Sequence, residues 1–192
     1  SSWRATESLS SFLERARVVA IADIDTRRLT RVLREKGALD YLVFDMPPGT
    51  GDAALSLAQA LPLSGAVVVT LPQLVSLEDA SRGLNMFKQL EVPILGVIEN
   101  MSYLDLPDGT RMDIFGSGGG EKLAKATETT FLGSIPIDQN VRIGGDSGNP
   151  IVDSHPNSVV AMAFTEISQK IAAKVSIAAL GANNSLPINI IE

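Results

Sequence analysis

One segment, DYLVFDMPPGTGD at residues 40–52, has the residue types of a loop that binds phosphate and metal. Its apolar run ends in Asp45, and a carboxylate at the end of a strand can hold Mg²⁺ through water. Two prolines then fix the direction of the chain, and Gly49 and Gly51 let backbone N–H groups approach an anion. The same pattern also fits a plain turn before a helix that Asp52 caps, so spacing alone leaves both interpretations open.

The elements that must position this segment alternate between apolar strands and helical patterns. Strands are predicted at 18–23, 41–45, 66–72, 93–100 and 131–138, and helices at 26–37, after Asp52, at 76–89 and at 157–180. Unbroken Val, Ile and Leu runs that alternate with helices indicate a parallel sheet covered on both faces. We therefore predict an α/β fold with three layers, in which strand 18–23 lies beside strand 41–45.

Polar or turn-forming residues stand where four of the predicted strands end. They are Asp45, residues 70–73, Glu99 with Asn100, and Pro136 with Asp138. In an open parallel sheet, ligands bind beyond the carboxyl ends of the strands. The fold would therefore gather residues that are far apart in the chain, and this convergence predicts a site.

Composition excludes several classes of protein. The chain is 45% hydrophobic and 20% charged, which suits one domain with a core, and it holds no cysteine. Disulfides and a Cys-ligated iron–sulfur cluster within the chain are thereby excluded, and the composition fits a cytoplasmic protein. No signal peptide is predicted, and charges within 157–180 argue against a membrane span.

Charge is distributed unevenly along the chain. Residues 1–37 carry eight Arg or Lys and five Asp or Glu, whereas residues 38–192 carry eight and seventeen, and the total is −6. An acidic bulk repels phosphate backbones, so a nucleic-acid partner is disfavoured. The change of sign near Gly37 indicates either one basic surface or two unlike pieces joined there.

Residues 39 to about 175 resemble the Mrp/ApbC family of P-loop ATPases, relatives of MinD and nitrogenase iron protein. The matching stretches, in family order, are LDYLVFDMPPGTGDAALSLAQ, PLSGAVVVTLPQLVSLEDASRGLNMF, VPILGVIENMSY, DIFGSGGGEKLA, FLGSIPID and GGDSGNPIV. The resemblance implies a P-loop NTPase-like sheet with ATP and Mg²⁺ as cofactors. It also implies a homodimeric carrier or scaffold that delivers iron–sulfur clusters to apo-proteins.

The same resemblance implies roles for individual residues. DMPPGTGD would be the switch II segment, with Asp45 serving Mg²⁺ and catalysis and Gly49 sensing the γ-phosphate. Asn100, and Pro136 with Asp138, would surround the adenine. The residues that would bind the cofactor are Gly49, Thr50, Gly51, Asn100, Pro136 and Asp138.

Two features of the family pattern are missing from the printed sequence, so the fold is predicted to be an incomplete P-loop NTPase. No stretch resembles GKGGVGKS, and the glycine cluster at 116–122 fits neither phosphate-loop motif, so it is predicted to open a helix. Many members also carry Cys-x-x-Cys after ENMSY, where this chain has LDLPDG at 104–109. We therefore expect impaired ATP turnover and no Cys-ligated cluster.

Residues 1–38 resemble instead a segment of the small subunit of carbamoyl-phosphate synthase. This divides the chain into a 1–38 segment and an Mrp-like domain at 39–192, as in a chimera. Asp23 and Asp25 stand where a phosphate loop would need glycines and lysine, which disfavours ATP. Three functions remain open: an iron–sulfur carrier, a non-catalytic α/β module, and an interaction fragment derived from the synthase.

Overall fold

The computed structural model describes residues 41–46, 51–61 and 63–183. The chain divides into two compact units, Ser1–Leu63 and Ser64–Glu192. The predicted strand 18–23 and helix 26–37 lie outside the described residues.

The first unit departs from two predictions. Residues 41–46 form neither helix nor strand, so the strand predicted at 41–45 is wrong for the described chain. Val43 is 80% exposed, whereas a central strand of a covered sheet would bury it. Helix α1 spans Asp52–Ala60, and its N-cap is Gly51 rather than Asp52. An apolar run needs a hydrogen-bonded neighbour to become a strand, and the run itself does not supply one.

The second unit contains a parallel sheet whose strands alternate with helices along the chain. Its strands β1 (Ala66–Thr70), β2 (Ile94–Glu99) and β5 (Phe131–Ser134) are arranged in the order β1-β2-β5. The helices are α2 (Leu74–Gln89), α3 (Gly119–Ala126), α4 (Gln139–Ser147), α5 (Ile151–Ser154) and α6 (Val159–Asn183). Three predicted strands and the helices at 76–89 and 157–180 are thereby confirmed. A short antiparallel hairpin, β3 (Leu104–Asp105) with β4 (Arg111–Met112), was not predicted.

Two apolar clusters cover the two faces of this sheet. Val97 is buried with residues of α2 and α3, whereas its neighbour Ile98 is buried with residues of α5 and α6. Successive side chains of a strand point to opposite faces, so the apolar run of β2 serves both clusters. This arrangement gives the predicted three layers. Among the described residues, no helix combines the length and apolar content that crossing a membrane requires.

Leu132 of β5 provides a test of this packing. Its side chain is 0% exposed within the cluster that α6 covers. Replacing it in Leu132→Ala leaves a cavity and should lower the free energy of unfolding by about 2–5 kcal/mol. The matched control is Ile177→Ala on α6, the helix that covers this cluster, because Ile177 is 69% exposed. Measured by urea denaturation, that substitution should change the free energy of unfolding by no more than about 0.5 kcal/mol. Equal effects of the two variants would contradict the described core.

Candidate functional site

The turn that follows β2 lies between the end of β1 and the segment after β5. The backbone N–H of Asn100 donates to the carbonyl of Thr70 at 2.8 Å, and that of Ser102 donates to the carbonyl of Ile135 at 3.0 Å. These bonds extend the parallel pairing beyond the last ladder residues. They place the turn 99–102 at the carboxyl edge of the sheet, where a ligand is expected.

The segment after β5 runs beside the same turn. The N–H of Ile137 donates to the carbonyl of Tyr103 at 2.7 Å, and Pro136 is buried. Asp138 is the N-cap of α4, and its carboxylate accepts a hydrogen bond from the N–H of Asn140 at 2.8 Å. These hydrogen bonds place the turn that holds Asn100 next to the segment that holds Pro136 and Asp138.

Asn100 presents a hydrogen-bond donor at this edge. Its Oδ1 accepts from the N–H of Met101 at 2.9 Å, and Nδ2 has no partner among the described residues. Met101 has a φ of 52°, a left-handed conformation that is uncommon for a residue with a side chain. The oxygen is thus used within the turn, whereas the amide nitrogen makes no hydrogen bond to the described residues.

Glu99 is a buried carboxylate beneath this turn. Its side chain is 1% exposed, and Oε1 accepts from the Ser102 hydroxyl and from the N–H of Gly118 at 3.2 Å. Oε2 accepts from the N–H of Gly120 at 2.6 Å. The carboxylate therefore occupies the amino end of α3, where free N–H groups and the helix dipole favour negative charge. Sequence reasoning noted Glu99 only as a strand end, although one charge closing an apolar run was a signal.

The glycine cluster at 116–120 is shaped for contact with Glu99 and the end of β1. Gly118 has a φ of 70°, and a Cβ on Gly119 would lie 2.3 Å from the carbonyl oxygen of Pro72. A Cβ on Gly120 would lie 2.9 Å from the Cβ of Glu99. Helix α3 begins within the cluster, as predicted. Two N–H groups of the glycine cluster donate to the carboxylate of Glu99, so the anion that this cluster binds is a side chain of the protein itself.

The β3–β4 hairpin occupies the position where many family members carry Cys-x-x-Cys. The Arg111 guanidinium lies 3.5 Å from the centroid of the Tyr103 ring and pairs with Asp105 at 3.0 Å. In the turn, hydrogen bonds from the hydroxyl and N–H of Thr110 lower the pKa of Asp108. Among the described residues, no group of three His, Cys, Asp or Glu side chains is placed to hold a metal ion.

The remaining predicted site residues belong to the first unit. Asp45 is exposed within the irregular segment 41–46, and Gly51 is the exposed N-cap of α1. Gly49 and Thr50 lie outside the described residues. The roles assigned to these four residues by resemblance remain predictions.

Sequence comparison relates the chain to iron–sulfur carriers. It is 58% identical over 147 residues to the iron–sulfur cluster carrier protein of Synechocystis sp., a match that covers 75% of this chain and 41% of that protein. The chain thus spans less than half the length of this relative.

Structure comparison relates the fold to nucleotide-binding proteins. The septum site-determining protein MinD of Pyrococcus horikoshii, solved with Mg-ADP, matches with a TM-score of 0.58 at 26% identity, over 80% of this chain and 59% of that one. A nucleotide-binding protein of Archaeoglobus fulgidus, solved with ADP, matches with a TM-score of 0.54 at 31% identity, over 73% and 68%. The predicted α/β class is thereby confirmed.

The glycine cluster generates a test of the site geometry. Gly119→Ala should lower the free energy of unfolding by about 1–3 kcal/mol, because the new methyl group would collide with the backbone at Pro72. Gly83→Ala is the matched control, since Gly83 is also helical and a Cβ there meets nothing within 4 Å. In denaturant titrations, the free energy of unfolding of that variant should rise by about 0.5–1 kcal/mol. A neutral Gly119→Ala would refute the described contact.

A family model described as ParA, NUBPL iron-transfer P-loop NTPase, matches residues 8–172. The match covers well over half of the chain and agrees with the carrier relative, so the resemblance to the Mrp/ApbC group is confirmed. The chain therefore belongs to the ParA family, among the NUBPL-type iron-transfer P-loop NTPases.

Proposed function

We propose that this chain is part of a nucleotide-dependent carrier of iron–sulfur clusters, and that the carboxyl edge of β1, β2 and β5 forms the base side of its nucleotide site. One observation carries the proposal: the Asn100 turn lies against the segment of Pro136 and Asp138 at the ligand-binding edge of a MinD-like sheet. Because the chain spans less than half of its carrier relative, the activity of a whole carrier is part of the proposal.

The residues at this edge fit a nucleotide base. The Asn100 amide nitrogen is a free donor among the described residues, and purine rings offer acceptor nitrogens in their plane. Pro136 lies in the adjacent segment, and the resemblance assigns it to the surroundings of the adenine. Mg²⁺ binding by Asp45 and phosphate binding by Gly49, Thr50 and Gly51 are assigned by resemblance alone and belong to the proposal in that form. The Mg-ADP and ADP bound to the two structural relatives support this choice of ligand.

The iron–sulfur cluster is the cargo in this proposal. The printed sequence has no cysteine, so any thiolates that hold the cluster would come from outside these 192 residues. The partners would be a second copy of the chain and the apo-proteins that receive the cluster, in the cytoplasm. Neither a nucleic acid nor a membrane is proposed as a partner.

A second candidate function is a non-catalytic α/β module that retains the fold without turnover. The printed sequence favours it because it contains no G-x-x-x-x-G-K-[ST]. In this account residues 1–38 are a segment like the carbamoyl-phosphate synthase small subunit, joined to an Mrp-like domain at 39–192. A third candidate is an interaction fragment of synthase origin. Sequencing genomic DNA across codons 30–45 tests the junction, and an uninterrupted Mrp-like upstream frame would refute the chimera.

The affinity of the chain for MgATP tests directly whether its nucleotide site is impaired. A phosphate loop and its lysine provide most of the affinity in such sites. Without them, and with Asp23 and Asp25 in that region of the sequence, affinity should fall by about a hundredfold or more. We expect weak or no heat in calorimetric titration with MgATP, and no phosphate release.

The control for this titration is a graft. Residues 1–38 are replaced by a segment that carries the family's GKGGVGKS pattern, which should restore binding if the rest of the site is sound. Micromolar binding by the unaltered chain, with turnover that Asp45→Ala abolishes, would show that the chain is competent as it stands.

The absence of cysteine generates a separate expectation. After anaerobic incubation with iron and sulfide, the purified chain should show no stable, stoichiometric cluster absorption, because it offers no thiolates. The comparison variant is Leu106→Cys with Gly109→Cys, which creates a Cys-x-x-Cys at the hairpin turn, where the N–H of Gly109 donates to the carbonyl of Leu106 at 2.9 Å. After the same incubation, this variant should acquire the visible absorption of an iron–sulfur cluster. A stoichiometric cluster on the unaltered chain would contradict the expectation.

A further inference from the structure

We propose that Glu99 is a positioning residue for the nucleotide edge: its carboxylate joins the turn 99–102 to the glycine cluster and so holds the Asn100 amide in place. The ligand part of this inference rests on the proposed function. Glu99 itself is buried beneath the edge, so it acts through its neighbours.

The carboxylate connects two segments that are distant in the chain. On one side it accepts from the hydroxyl of Ser102, within the same turn. On the other side it accepts from the N–H groups of Gly118 and Gly120, 19 and 21 residues away. The glycines at 119 and 120 approach Pro72 and Glu99 too closely for a side chain. The turn is therefore tied to a rigidly packed helix end.

The turn itself needs such a restraint. Met101 has a left-handed φ of 52°, a conformation that persists in a non-glycine residue only where the surroundings enforce it. The bond between Glu99 and Ser102 closes the turn around Met101. With the turn closed, the Met101 N–H holds Oδ1 of Asn100, and Nδ2 is presented in a preset direction. Loosening Glu99 should therefore release the ligand-facing amide.

A carboxylate is required because every group that faces it is a donor. Glutamine has nearly the same shape, yet its NH₂ group would oppose one of the backbone N–H groups. Glu99→Gln thus removes a matched acceptor without creating a cavity. Glu121→Gln is the control, since Glu121 lies exposed in the first turn of the same helix.

The first measurement is amide hydrogen exchange without ligand. Glu99→Gln should speed exchange by about tenfold or more at Met101, Ser102, Gly118 and Gly120, because both segments lose a restraint. The amides of α6 should keep their protection, which separates a local effect from global destabilisation. Glu121→Gln should match the unaltered chain. If Glu99→Gln does not fold, Ser102→Ala removes only the hydroxyl and should loosen Met101 while the glycine amides stay protected.

The second measurement is a double-mutant cycle on the Mg-ADP affinity of the P-loop graft, because the unaltered chain is expected to bind nucleotide weakly or not at all. Glu99→Gln and Asn100→Ala should each weaken binding by about tenfold, and their combination should add little, because Glu99 acts through Asn100. A merely structural role would give additive effects. If the unaltered chain and its P-loop graft both fail to bind Mg-ADP, the proposed function fails, and exchange alone decides the role of Glu99. Unchanged exchange at Met101 and Ser102, or an additive cycle, overturns the inference.

Discussion

The buried carboxylate of Glu99 is the interaction on which the carboxyl edge of this sheet depends. Burying an unpaired charge is strongly unfavourable, so a carboxylate at 1% exposure requires donors on all sides. Here one hydroxyl and two backbone N–H groups supply them, and the N–H groups come from the start of α3. A single side chain thereby satisfies a helix end and restrains the turn that leads away from β2.

This use of the glycine cluster clarifies a feature that is ambiguous in the sequence. Clustered glycines before a helix are typical of phosphate loops, which offer N–H groups to an external anion. In this protein the same chemistry serves an internal anion. Close approach to Pro72 explains the absence of a side chain at 119, and close approach to Glu99 explains it at 120. Any phosphate group of a ligand would need other donors, which the family pattern places on a loop with no counterpart in the printed sequence.

The hairpin that follows the edge is stabilised by polar and aromatic contacts between its own residues. Arg111 stacks on Tyr103 and pairs with Asp105, and Asp108 accepts two hydrogen bonds from Thr110. These exposed contacts are individually weak, yet they define a turn where many family members carry cysteines. Within a family described as iron-transfer NTPases, the hairpin of this chain thus rests on polar and aromatic contacts between its own residues.

The sequence by itself determined the elements whose signals are local. Strands β1, β2 and β5 and helices α2 and α6 follow from apolar runs and helical periodicity, and the parallel rule then placed Asn100 and Pro136 at one edge. Tertiary structure decided the rest. The run at 41–45 forms no strand in the described part of the chain, because its apolar composition does not by itself fix strand pairing. The two-residue strands of the hairpin are too short to leave a pattern in the sequence. The partners of Glu99 lie up to 21 residues away, so only the folded chain reveals that the lone acidic residue of an apolar strand organises the site.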